Sequence, residues 1–116
     1  MTDITIYHNP RCSKSRETLA LLENTETTIT IVKYLDTPPS IETLQQIIAL
    51  LGFDSARQLM RTKEAIYKEL ALKEEQNEAA LLTAMIENPK LIERPIVLAN
   101  GKAAIGRPPE SVLAII

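Results

Sequence analysis

Two apolar runs near the end of the chain, Pro95-Ile96-Val97-Leu98-Ala99 and Lys102-Ala103-Ala104-Ile105, are separated only by Asn100-Gly101. A two-residue hairpin loop needs positive φ at both central positions, which Asn and Gly tolerate best, so this dipeptide is the strongest short-range hairpin signal a sequence offers. It predicts two adjacent antiparallel strands. The front of the chain predicts two parallel ones. Ile4-Thr5-Ile6-Tyr7 alternates like a half-buried strand, residues 8–15 read as a loop rich in turn formers, and residues 16–23 carry Leu19, Leu21 and Leu22 in a helix-compatible pattern. Thr28-Ile29-Thr30-Ile31-Val32 is a second strand, and the three elements make a right-handed βαβ unit.

Between these ends lies a helical block. Pro38-Pro39-Ser40 stops one element and caps the next, and Ile41, Leu44, Ile47, Ile48 and Leu51 recur at helical spacing before Gly52. Ser55-Ala56-Arg57-Gln58 reads as a capping box that opens a helix reaching Met60 or Arg61. A helical stretch over residues 65–70 follows, and Lys73-Glu74-Glu75 reads as a solvated connection. Leu81, Leu82, Met85 and Ile86 mark one more helix, ended near Asn88-Pro89. Pro108-Pro109-Glu110 opens a terminal helix with Val112, Leu113 and Ile116 facing inward. Strand-helix-strand, then hairpin-helix, is the order of the thioredoxin fold. The expectation is an α/β chain with a four-stranded mixed sheet, one domain over residues 1–116, and a helical insertion at about 40–88. Its site lies at the C-terminal end of the first strand.

Composition removes several function classes. The chain has 116 residues, enough for one core. It has no run of about 18 apolar residues, which argues against a membrane span, and Met-Thr-Asp-Ile-Thr does not begin a secretory leader. A net charge of −2 argues against a general nucleic-acid coat. His8 is the only histidine, so no Cys/His metal cluster is expected. Gly52, Gly101 and Gly106 are too dispersed for a phosphate-cradling loop, so no nicotinamide or flavin is expected to be bound. The single cysteine excludes an internal disulfide and fits a reducing, cytoplasmic compartment.

That cysteine, Cys12, lies in the turn between the first strand and the first helix. Helix N-termini carry partial positive charge and stabilise a thiolate over a thiol. Arg11, Lys14 and Arg16 add positive charge nearby, Ser13 and Ser15 offer hydroxyl donors, and His8 adds more if protonated. The plainer reading of a lone cysteine is a small buried hydrophobe, but a polar, Pro-containing loop is a poor place to bury one. The plainer reading of His8 is a surface or capping residue. Spacing sets two chemistries aside. Position 15 is Ser, so there is no Cys-x-x-Cys, and position 18 is Thr, so there is no Cys-x5-Arg phosphatase loop. A one-cysteine nucleophile remains, which must take its second thiol from another molecule.

His8-Asn9-Pro10-Arg11-Cys12-Ser13-Lys14-Ser15-Arg16 resembles the active-site loop of the ArsC-type, glutaredoxin-coupled arsenate reductases. Further matches follow in order: Tyr34-Leu35 with Pro38-Pro39-Ser40, Leu59-Met60-Arg61, Arg94-Pro95-Ile96-Val97, and Gly106-Arg107-Pro108-Pro109-Glu110. The likeness covers nearly the whole chain and is nearest to a short, YfgD-like branch. The resemblance implies that Cys12 attacks arsenate, glutathione attacks the resulting adduct, glutaredoxin accepts the glutathione, and arsenite leaves. It implies that Arg61, Arg94 and Arg107 bind the oxyanion, with Arg57, one turn earlier, as the alternative to Arg61. It further implies roles for His8, Lys14 and Ser15 in activating the thiolate or binding substrate, and a cis peptide bond before Pro95.

Two other classes compete. A Spx-like adaptor shares this fold and binds a protein partner, but has no need of oxyanion-binding arginines. A glutathione-dependent thiol transferase needs Cys12 but not all three arginines. Arg94 and Arg107 beside their prolines favour the arsenate enzyme.

Overall fold

The structure is a computed structural model that describes residues 2–25 and 27–116; Met1, read above for a leader, lies outside them. Strand β1 spans Thr2–Tyr7, helix α1 Ser13–Glu23 and strand β2 Thr27–Val32. Strands β3 (Ile96–Ala99) and β4 (Lys102–Ile105) form the hairpin. The sheet order is β2-β1-β3-β4, with β2 parallel to β1 and the other neighbours antiparallel. This is the thioredoxin-like mixed sheet.

The described residues form two compact units, one of residues up to Thr37 together with Arg94–Ile116, the other of Pro38–Glu93. In the first, Ile4 and Ile6 project from one face of β1 and Val97 and Ala99 from β3. They pack with Leu22 of α1 and Val112 of the C-terminal segment into a fully apolar cluster. Asn100 and Gly101 both have positive φ, as the two-residue turn demands.

Helix α1 begins three residues earlier than its leucines indicate, because Cys12 is its N-cap and Ser15 and Thr18 lie on its buried face with Leu22. Apolar periodicity cannot detect a buried face that opens with two hydroxyl residues. The C-terminal segment, Pro109–Ile115, is a 3₁₀ helix and not the α-helix expected. With three residues per turn, Pro109, Val112 and Ile115 align on one side. Leu113, expected inside, is therefore exposed.

The second unit holds helices α2 (Ile41–Leu50), α3 (Ala65–Glu69) and α4 (Glu78–Glu87). The Ser55 box is present, but its helix is a single 3₁₀ stretch, Ala56–Leu59. It stops because the chain turns extended at Met60, which bridges Ile92: Arg61 N–H donates to the Leu91 carbonyl at 2.7 Å and Glu93 N–H to the Leu59 carbonyl at 2.8 Å. The Lys73 run is not a plain solvated link either. Leu72–Glu74 is a 3₁₀ turn with Leu72 buried, held by the guanidinium of Arg57.

Candidate active site

The loop between β1 and α1 is organised by Asn9 and Ser15. Cys12 N–H donates to the Asn9 carbonyl at 3.0 Å and Arg11 N–H to Asn9 Oδ1 at 3.0 Å, an Asx turn that Asn-Pro favours. The buried Ser15 hydroxyl accepts from Asn9 N–H at 3.0 Å and meets His8 Nδ1 at 2.7 Å. Cys12 is thereby held at the first turn of α1 with its thiol mostly buried.

The other wall comes from the β3 and β4 ends. The Arg94–Pro95 and Arg107–Pro108 bonds are both cis, the second not singled out in the sequence. Arg107 Nη2 donates to Cys12 Sγ at 3.7 Å while its Nε donates to the Arg94 carbonyl at 2.8 Å. Gly106 locks the corner. Its N–H donates to the Pro95 carbonyl at 2.9 Å, and a Cβ there would stand 2.7 Å from Pro95 Cγ and closer still to Thr18 Oγ1.

These contacts favour ionisation of Cys12. Burial pushes its pKa up, but the Ser15 backbone N–H, the Arg94 charge, the Lys14 backbone N–H and an Arg94 hydrogen bond outweigh it, and the pKa lies below the ordinary thiol value. The arrangement favours the thiolate and sets it beside two guanidinium groups, a nucleophile facing donors suited to an oxyanion.

The ArsC family model matches residues 7–115. The chain belongs to the ArsC family. It is 53% identical over 117 residues to an arsenate reductase of Neisseria meningitidis, with all of both chains covered. It is 58% identical to the uncharacterised YfgD of Escherichia coli K12, with 97% of this chain and 96% of that one covered. A solved arsenate reductase structure from Vibrio cholerae aligns with a TM-score of 0.95 at 55% identity, covering 99% of this chain and 98% of that one.

Within this ArsC-family chain the sequence-derived residues fall into distinct places. Cys12, Ser15, His8, Arg94 and Arg107 belong to one unit, and Cys12 meets Arg94 and Arg107 directly. For His8, which adds positive charge only when protonated, the surroundings favour the neutral ring. Burial, then the charges of Lys33 and Arg16, lower its pKa, so it is neutral at pH 7 and bonds to Ser15. Ser15 and Lys14 reach the sulfur through backbone N–H groups; the Lys14 side chain is exposed and ion-paired with Glu17 at 3.7 Å. Arg61 belongs to the other unit, half-buried and paired with Glu64. Arg57, the alternative, is committed to Tyr67 Oη and the Leu72 and Glu75 carbonyls.

Gly106 and Asn9 were not singled out. A glycine directly before Arg-Pro, and an Asn-Pro before the cysteine, were the available signals. Beside the loop lies a cavity of about 330 Å³, walled by residues 8–11 and by Lys33, Leu35 and Asp36. Among the described residues no His, Cys, Asp and Glu cluster can hold a metal ion, and no helix is long and apolar enough to cross a membrane.

Proposed function

We propose that this chain reduces arsenate to arsenite through Cys12, with glutathione and glutaredoxin as electron donors and no resident cofactor, in the reducing cytoplasm. The observation that carries the reading is Cys12 at the α1 N-terminus, its pKa lowered, with Arg94 and Arg107 beside its sulfur. The names of the full-length relatives give the oxyanion.

The Cys12 sulfur attacks arsenic and an arsenic-bound oxygen leaves as water, giving a thiol-arsenate adduct still at the +5 state. Glutathione displaces a second oxygen as water. A glutaredoxin thiolate then attacks the glutathione sulfur; the electron pair of the As–S bond stays on arsenic, which becomes +3, and the two thiols leave as a mixed disulfide. Hydrolysis of the remaining As–S bond releases arsenite and restores Cys12. Arg94 and Arg107 neutralise the oxyanion during the first attack, and Arg61 is assigned to the same task by the family resemblance.

Arsenite formation by the native chain, Arg94→Lys and Arg107→Lys tests this assignment. Loss of about 10²–10³-fold in turnover in each variant is expected, the usual effect of removing one transition-state donor. Unchanged rates would remove the arginines from the reaction and leave thiol transfer, which needs Cys12 alone.

A further inference from the structure

The cavity beside the active-site loop is not needed to hold the oxyanion. One wall is residues 8–11, which end one position before the nucleophile, and the other is the turn after β2. His8 N–H donates to the Val32 carbonyl at 2.8 Å, and Asp36 and Thr37 N–H groups donate to the Lys33 carbonyl, both at 2.9 Å. The first bond joins the loop to the end of β2, and the other two close the turn that forms the second wall. The volume of about 330 Å³ falls within the range of about 300–1,000 Å³ usual for small-molecule sites.

Its lining is specific in charge. Two cationic side chains, Arg11 and Lys33, and one carboxylate, Asp36, surround an apolar strip made by Pro10 and Leu35. A ligand matching this has two carboxylates, one ammonium group and a short apolar stem. The proposed reaction requires a second thiol at Cys12, and glutathione carries that set of charges. We propose that this cavity seats glutathione, its carboxylates on Arg11 and Lys33 and its ammonium on Asp36, so that its sulfur reaches the Cys12 adduct from the loop rim.

The inference rests on the glutathione-coupled reading of Cys12. In the step it serves, a new S–As bond forms, an arsenic-bound oxygen leaves as water with the thiol proton, and no electron changes hands.

S-methylglutathione tests the site apart from turnover, since it has no thiol to react. Titrated into the ¹⁵N-labelled native chain, it is expected to shift amide resonances of residues 9, 11 and 33–36. Lys33→Glu and Arg11→Glu, each confirmed folded by the rest of the spectrum, are expected to weaken binding about tenfold or more. Lys102→Glu, at the hairpin turn, makes the same change in net charge and is expected to leave binding unaltered. No binding, shifts confined to other residues, or equal affinity in all three variants would overturn the proposal. A chain that reduces arsenate with glutathione yet gives one of those results loses this subsite and keeps its function. A chain that binds here but does not reduce arsenate keeps the subsite and loses the arsenate reading.

Discussion

The Ser15 and Lys14 backbone N–H groups, Arg94 and Arg107 all converge on Cys12. Its reactive form is the thiolate, so a lowered pKa moves the pH profile of alkylation by iodoacetamide to lower pH. The midpoint of that profile is expected below that of an unperturbed thiol, and Arg94→Ala is expected to raise it. An unchanged midpoint in the variant would show that Arg94 does not stabilise the thiolate. His8 gives a second pH effect of known sign. Its folded pKa is depressed, so below about pH 6.5 the unfolded chain binds a proton that the folded chain refuses, and stability falls with pH. Denaturant unfolding between pH 7 and pH 5 should show this loss, and His8→Gln should flatten it. Gly106→Ala pushes a Cβ against Thr18 and Pro95, the overpacking that typically costs about 1–3 kcal/mol. The same measurement checks it: a variant as stable as the native chain would mean that the corner gives way freely. The lone cysteine was legible in the sequence from residue type, and the arginine-proline pairs through family resemblance. The route by which Ser15 and Lys14 act was not, because backbone N–H groups leave no mark on residue choice.

At the scale of elements, sequence reading works where one local rule decides the geometry. Asn100-Gly101 fixes a turn because both positions need positive φ, and the flanking strands pair across it, Ala99 with Lys102 and Ile96 with Ile105. It works less well where helix type is set by packing. The terminal segment reads equally well as an α-helix burying Val112, Leu113 and Ile116, and only its three-residue turn separates them. Val112→Ala is therefore expected to destabilise by about 1.6 kcal/mol from lost methyl burial alone, with any cavity adding to it. Leu113→Ala is expected to stay within about 0.5 kcal/mol. Equal effects in denaturant unfolding would return the segment to an α-helix. The 3₁₀ stretch at Ala56–Leu59 shows the same limit, since its capping residues were visible but the Met60–Ile92 bridge that ends it joins distant positions.

Across the whole molecule, residues from opposite ends of the chain make one site. Cys12 follows β1, whereas Arg94 and Arg107 flank the β3–β4 hairpin; antiparallel pairing of β1 with β3 sets Tyr7 against Ile96 and so brings the two ends together. The four-stranded mixed sheet was legible because hairpin and βαβ signals leave few topologies for four strands. The role of Arg61 rests on family resemblance alone, since Arg61 is carried by the separate unit Pro38–Glu93. The sheet brings a cysteine of lowered pKa to arginine donors, and the proposed consequence is arsenate turnover dependent on one sulfur. Arsenate-dependent NADPH oxidation, coupled through glutathione reductase, glutathione and glutaredoxin, tests this most directly when the native chain is compared with Cys12→Ser. Oxidation by the native chain that falls to background in Cys12→Ser is the expected result. A folded native chain that shows no oxidation above background, or a Cys12→Ser chain that retains it, would contradict the assignment of arsenate reduction to this thiol.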